Sequence, residues 1–129
     1  MVRDQLTKEM VEKGKLLVRR LLKTDLQVTA AIWLYYEEPE KWRLMIATPK
    51  VREKGPRFVY SAIQDIVRNG SEDYSPVSLS DITVVKPDNQ TVQLIRKVFD
   101  PTGEIAEIRF TGNAIDTHYI EDALIYYLA

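Results

Sequence analysis

Val28-Thr-Ala-Ala-Ile-Trp-Leu-Tyr-Tyr36, the polar loop Glu37-Glu-Pro-Glu-Lys41 and the run Trp42-Arg-Leu-Met-Ile-Ala47 decide the fold. Both runs are rich in β-branched and aromatic residues, which suit a pleated, packed surface. A short loop containing Pro39 between two such runs reads as a β-hairpin. Pairing Tyr36 with Trp42 would set Leu34 against Leu44 and Ile32 against Ile46. The other face would then carry Trp33, Tyr35, Arg43 and Met45. Because side chains alternate along a strand, a slip of one residue reshuffles these faces, so the register stays open. In either register both faces are largely apolar. Helices are expected over one face, leaving the other to more protein, a ligand or a second subunit.

Outward from the hairpin, the first helix is expected from about Asp4 to Lys23. At 100° per residue, Leu6, Met10, Gly14, Leu17, Val18, Leu21 and Leu22, with Val11, share one arc. Asp4 is the expected N-cap. Lys8, Lys15, Arg19 and Lys23 cluster on the opposite side, together with Leu16. After the hairpin, Thr48 to Lys54 reads as a polar connection. Gly55-Pro56 then opens a second helix, with proline suited to its first turn. Val59, Ala62, Ile63, Ile66 and Val67 form its apolar stripe, and Asn69-Gly70 ends it. A serine-rich loop from Gly70 to Asp81 leads to a short strand, Ile82-Thr-Val-Val85, stopped by Pro87.

Two later segments carry alternatives. Thr91, Leu94, Ile95, Val98 and Phe99 fit a helical face, with Pro87 and Asp88 suited to a first turn. Asp100-Pro-Thr-Gly103 is equally a hairpin turn, which would pair 92–99 with 104–110 as strands. The helix is favoured because Gln90, Arg96 and Lys97 break strict alternation. Glu104-Ile-Ala-Glu-Ile-Arg-Phe110 is then a strand and Thr111-Gly-Asn113 a turn. From Tyr119 to Leu128, Ile120, Ala123, Leu124, Tyr127 and Leu128 have helical spacing, while the Tyr, Ile and Leu content suits a strand. The fold expected is one α+β domain over residues 1–129, of element order α-β-β-α-β-α-β-β, with a mostly antiparallel sheet and helices on at least one face.

Ala31-Ile-Trp-Leu-Tyr35 followed by Trp42-Arg-Leu-Met-Ile-Ala-Thr-Pro49 resembles a group of small uncharacterised bacterial proteins. So do Gly55-Pro56 with Tyr60, Ile108-Arg-Phe110 and the ending Tyr119-Ile-Glu-Asp-Ala-Leu-Ile-Tyr126. The resemblance spans nearly the whole chain. It implies a helix at 88–98 and a final strand at 118–127, and it carries over no functional residue.

Composition narrows the classes of function. A chain of 129 residues, 45% of them hydrophobic, can bury roughly two thirds of the surface its unfolded form exposes. No cysteine is present, so thiol catalysis, disulfides and cysteine-based zinc sites are excluded. The start, Met-Val-Arg-Asp-Gln-Leu-Thr, has no apolar h-region, and the longest apolar stretch is about half a membrane span. Cytoplasmic residence without membrane attachment is therefore expected. Net charge is −1, yet residues 1–23 hold seven Lys/Arg against three Asp/Glu. That asymmetry fits a solvated helix face or a contact for an acidic partner. There is no phosphate-binding glycine loop, no nucleophile elbow and no H-E-x-x-H, and a single histidine supports no multi-histidine metal site.

Two constellations remain. In an extended strand Asp116, His118 and Asp122 point to one side, with Glu121 adjacent; such a set could orient an imidazole for base catalysis or hold a metal. A solvated polar stretch is the plainer reading. The second constellation is aromatic: Trp33, Tyr35, Tyr36, Trp42, Tyr126 and Tyr127, with Arg43 and Met45, resembles either a core or the centre of a protein interface. The function expected is a non-enzymatic protein-interaction or assembly module, with no cofactor, self-associating through the face that carries Trp33, Tyr35, Arg43 and Met45. The alternatives are a small enzyme or metal site centred on His118 and Asp116, and a nucleic-acid accessory protein using the basic face of the first helix. The near-zero net charge weighs against nucleic acid.

Overall fold

The hairpin forms in the computed structural model, which describes residues 5–37, 40–115 and 118–129. Its register is one residue away from the pairing of Tyr36 with Trp42. Strand β1 (Ala30–Glu37) pairs with β2 (Glu40–Ala47) so that Tyr35 opposes Trp42, Trp33 opposes Leu44 and Ile32 opposes Met45. Trp33, Tyr35, Trp42, Leu44 and Ile46 therefore gather on one side of the sheet, and Ile32, Leu34 and Met45 on the other.

Helix α1 (Lys8–Leu22) covers the tryptophan side, burying Gly14, Leu17, Val18 and Leu21 as the periodicity predicts. Its N-cap is Thr7, whose hydroxyl accepts from the Met10 amide; the expected cap, Asp4, lies outside the described residues. Helix α3 (Pro56–Asn69) joins α1 over this side through Val59 and Ile63. Gly55 precedes it with φ 88°, a conformation that disfavours any side chain, and Pro56 sets the first turn. Two segments expected as loops contain short helices, α2 (Lys50–Lys54) and α4 (Ser71–Tyr74), and a 3₁₀ turn (Leu79–Asp81) capped by Ser78.

Strand β3 (Ile82–Val85) runs parallel to β2, so the sheet is mixed and the expectation of a mostly antiparallel sheet is corrected. The cause is topological. Fourteen residues of α3 between β2 and β3 return the chain to the far end of the sheet, and a strand after such a crossover runs parallel. The short helices also make the element order differ from the one expected: α1-β1-β2-α2-α3-α4-3₁₀-β3-α5-β4-β5. Helix α5 (Gln90–Arg96) settles the first ambiguity, with Asn89 rather than Pro87 or Asp88 at its start. Strand β5 (His118–Leu128) settles the second. Strand β4 (Ile108–Ile115) begins later than expected and runs through Thr111-Gly-Asn113, the residues read as a turn. Among the described residues, five strands stand in the order β3-β2-β1-β5-β4.

The second side of the sheet is filled by the same chain. Ala30, Ile32, Leu34, Met45, Ala123 and Ile125 pack with Val92, Leu94 and Ile95 of α5, and Ile115 and Ile120 extend this cluster. The Arg96 guanidinium donates to the carbonyls of Thr29 and Ala129, tying α5 to the ends of β1 and β5. Of the three covers expected for this face, more protein, a ligand or a second subunit, the first is present: α5, seven residues long, packs on it.

Candidate functional site

Of the four residues expected to form an interface, two are interior. Trp33 is fully buried beneath α1, and Met45 is buried on the α5 side. Tyr35 is half-buried against Trp42, edge to face at 5.7 Å between centroids. Arg43 is half-buried and donates from Nε to the Thr83 hydroxyl at 2.9 Å, joining β2 to β3. The register places Trp33 and Tyr35 on one side of the sheet and Met45 on the other, so the four do not form a single surface.

Trp33 belongs instead to a buried polar contact at the centre of the molecule. Its Nε1 donates to the Tyr126 hydroxyl at 2.9 Å, and that hydroxyl donates to the Val11 carbonyl on α1. Tyr126 sits at a bulge: Ala31 pairs with Tyr127 and Ile32 with Ile125, so Tyr126 has no partner opposite it. The extra residue turns its ring toward α1. Gly14 makes the approach feasible, because a β-carbon there would lie 2.8 Å from the Tyr126 oxygen and 2.9 Å from Trp33 Nε1. Burial pushes the Tyr126 phenol well above the usual tyrosine range; the Trp33 hydrogen bond opposes that shift. Burial also raises the Tyr36 phenol, with Arg43 acting in the other direction.

The polar set near the C-terminus is divided. His118 is half-buried, with its Nε2 2.7 Å from the Gln90 amide nitrogen at the start of α5. Its Nδ1 is buried with no hydrogen-bond partner among the described residues. Asp122, also buried, receives a bidentate pair of hydrogen bonds from Arg109 at 2.7 and 2.8 Å. The Arg109 guanidinium lies 5.3 Å over the Trp42 ring, on the α1 side. His118 and Asp122 are therefore not on one side, as an unbroken strand would have them. Gly112 in β4, with φ 57°, marks the bend that separates them. Asp116 lies outside the described residues. Among those described, no group of three His, Asp or Glu side chains could hold a metal ion. The hydrogen bonds that Arg109 donates to Asp122 raise the Arg109 pKa above the usual arginine value.

The basic face of α1 is only partly free. Lys15 is paired with Glu107 at 2.7 Å, while Lys8, Arg19 and Lys23 are exposed. Leu16 is 42% exposed beside them, as the helical arc predicts. Arg19 and Lys23 join Lys13 and Arg20 around a cleft of about 310 Å³ floored by Leu16 and Tyr74. Sequence reasoning did not reach this cleft, since its second wall comes from α4, a helix of four residues. It also missed Arg109, whose partner Asp122 is apparent only once β4 and β5 pair.

Among the described residues no helix is long and apolar enough to cross a membrane. Comparison with family models, with curated proteins and with solved structures finds no match.

Proposed function

We propose that this chain is a non-enzymatic interaction module that self-associates along the outer edge of its sheet, at β4. The observation that carries the reading is the incomplete cover of the α5-side cluster at that edge. Ile108 and Phe110 of β4 are only half-buried, and Phe110 meets the half-buried Phe99 edge to face at 5.4 Å. Val98, beside Phe99 in sequence, is 52% exposed. Strand β4 spans eight residues, contains no proline or lysine, and borders no other described strand on its outer side. Such an edge is a template for pairing with another strand. A second copy pairing there would continue the sheet and cover the apolar rim at the same time. Sedimentation equilibrium over a range of concentrations tests this, with the double substitution Thr111→Lys and Ala114→Lys, both at exposed positions. The native chain should dimerise with concentration and the double variant should stay monomeric. A native chain that is monomeric throughout, or a variant that dimerises equally well, would refute the proposal.

A further inference from the structure

The geometry points to the cleft between α1 and α4 as a docking site for an acidic, apolar-bearing helical segment of a partner protein. Lys13, Arg19, Arg20 and Lys23 line it, and no carboxylate among the described residues forms an ion pair with any of them. From Lys13 to Lys23, the C-cap of α1, is ten residue steps, about 15 Å along the helix axis. A second cleft of about 290 Å³ shares Arg20, Asp73 and Tyr74 with the first and adds Ile66, Asn69 and Gly70. The two adjoin at these shared residues, so the recess continues from α1 across α4 to the end of α3, which favours a segment over a compact small molecule.

Charge complementarity selects the sign of the occupant, and the floor selects its class. Leu16 is exposed in the middle of the cationic row, where a surface serving charge alone would gain nothing from an apolar side chain. An amphipathic helix offers carboxylates to the four cations and a leucine-sized group to Leu16 and Tyr74. A phosphate backbone has no such apolar counterpart. Asp73 in the wall opposes either anion alike, so the apolar floor is what favours the segment over a phosphate backbone. Contacts of this kind steer association through long-range charge and weaken as salt rises.

Fluorescence anisotropy with a dye-labelled helical peptide of glutamate and leucine at heptad spacing tests the site. The comparison probes are the same peptide with its leucines replaced by serine, a twenty-residue oligothymidylate and inorganic tripolyphosphate. The Glu/Leu peptide should bind most tightly, and the triple reversal Arg19→Glu, Arg20→Glu, Lys23→Glu should weaken it by about tenfold or more. Leu16→Asp should weaken it too. All four substituted positions are exposed, but three lie at the C-terminal end of α1, where glutamate opposes the helix dipole. Melting by circular dichroism should stay cooperative with a midpoint lowered by a few degrees, which separates lost binding from lost fold. Absent peptide binding, binding unchanged by the charge reversal, or equal affinity for the serine peptide would overturn the inference. Tighter binding of oligothymidylate or tripolyphosphate would overturn it as well, and would reassign the cleft to phosphate.

Discussion

Replacing Gly14 by alanine should destabilise the protein, although the same change in an unconstrained helix interior stabilises by about 1 kcal/mol. A β-carbon at position 14 would stand 2.8 Å from the Tyr126 hydroxyl oxygen, 2.9 Å from Trp33 Nε1 and 3.2 Å from Trp33 Cζ2. Neither ring has room to yield, since both are fully buried. If Tyr126 retreats, it loses the Trp33 donor, the Val11 acceptor or both. A net hydrogen bond is worth about 1 kcal/mol, and a buried group left unsatisfied costs about 1–3 kcal/mol. Overpacking a filled core adds about 1–3 kcal/mol. Set against the propensity gain, the net loss should be about 2 kcal/mol, a fall in Tm of roughly 6–10 °C for a chain of this length. Urea unfolding followed by tryptophan fluorescence measures it. Repeating the substitution in a Tyr126→Phe background should reduce the loss, because the nearest contact has gone and the two changes couple. A Gly14→Ala protein more stable than the native chain would refute the placement of α1 on Trp33 and Tyr126.

Stability should also fall at alkaline pH. The Tyr126 phenol is raised by burial, so its contribution is complete below the unfolded value of about 10 and is lost as pH rises above it; Tyr126→Phe should flatten that decline in a series of melts from pH 8 to 11. Asn89→Ala should cost about 1 kcal/mol, because the Asn89 side chain accepts from the amides of Thr91 and Val92 at the start of α5. Amide exchange should show the loss first in residues 90–96. Asp122→Ala should cost about 1 kcal/mol by urea unfolding, toward the low end for a charged pair, since the Arg109 side chain is half exposed and finds water when its partner goes.

Elements with a strong period and a clear stop were legible in the sequence. Helix α3 runs from Pro56 to Asn69, between the expected Gly55-Pro56 start and Asn69-Gly70 end, and the buried face of α1 is the arc its apolar residues trace. The hairpin was legible as a hairpin, but its faces were not. Both are apolar, so nothing in Ala30–Glu37 or Glu40–Ala47 distinguishes one register from its neighbour; the packing partners on each side decide it. The parallel placement of β3 does have a sequence signal, the long helix between consecutive strands. The extent of β4 had the opposite difficulty: Thr111-Gly-Asn113 has turn chemistry, yet Gly112 bends the strand without ending it. Trp33 and Tyr126 are separated by ninety-three residues, and no local pattern joins them. The one hint is Gly14, a glycine on the apolar arc of a helix where a larger side chain would ordinarily pack.

The hairpin buries Ile32, Trp33, Trp42 and Met45 within the chain, which leaves the β4 edge as the proposed site of association. Hydrogen exchange at low and high protein concentration tests both halves at once. Amides of 30–34 and 42–47 should be strongly protected at either concentration, while amides within 108–115 should gain protection only when the protein is concentrated. Concentration-dependent protection confined to the hairpin, with 108–115 unchanged, would contradict the account and restore the hairpin face as the contact.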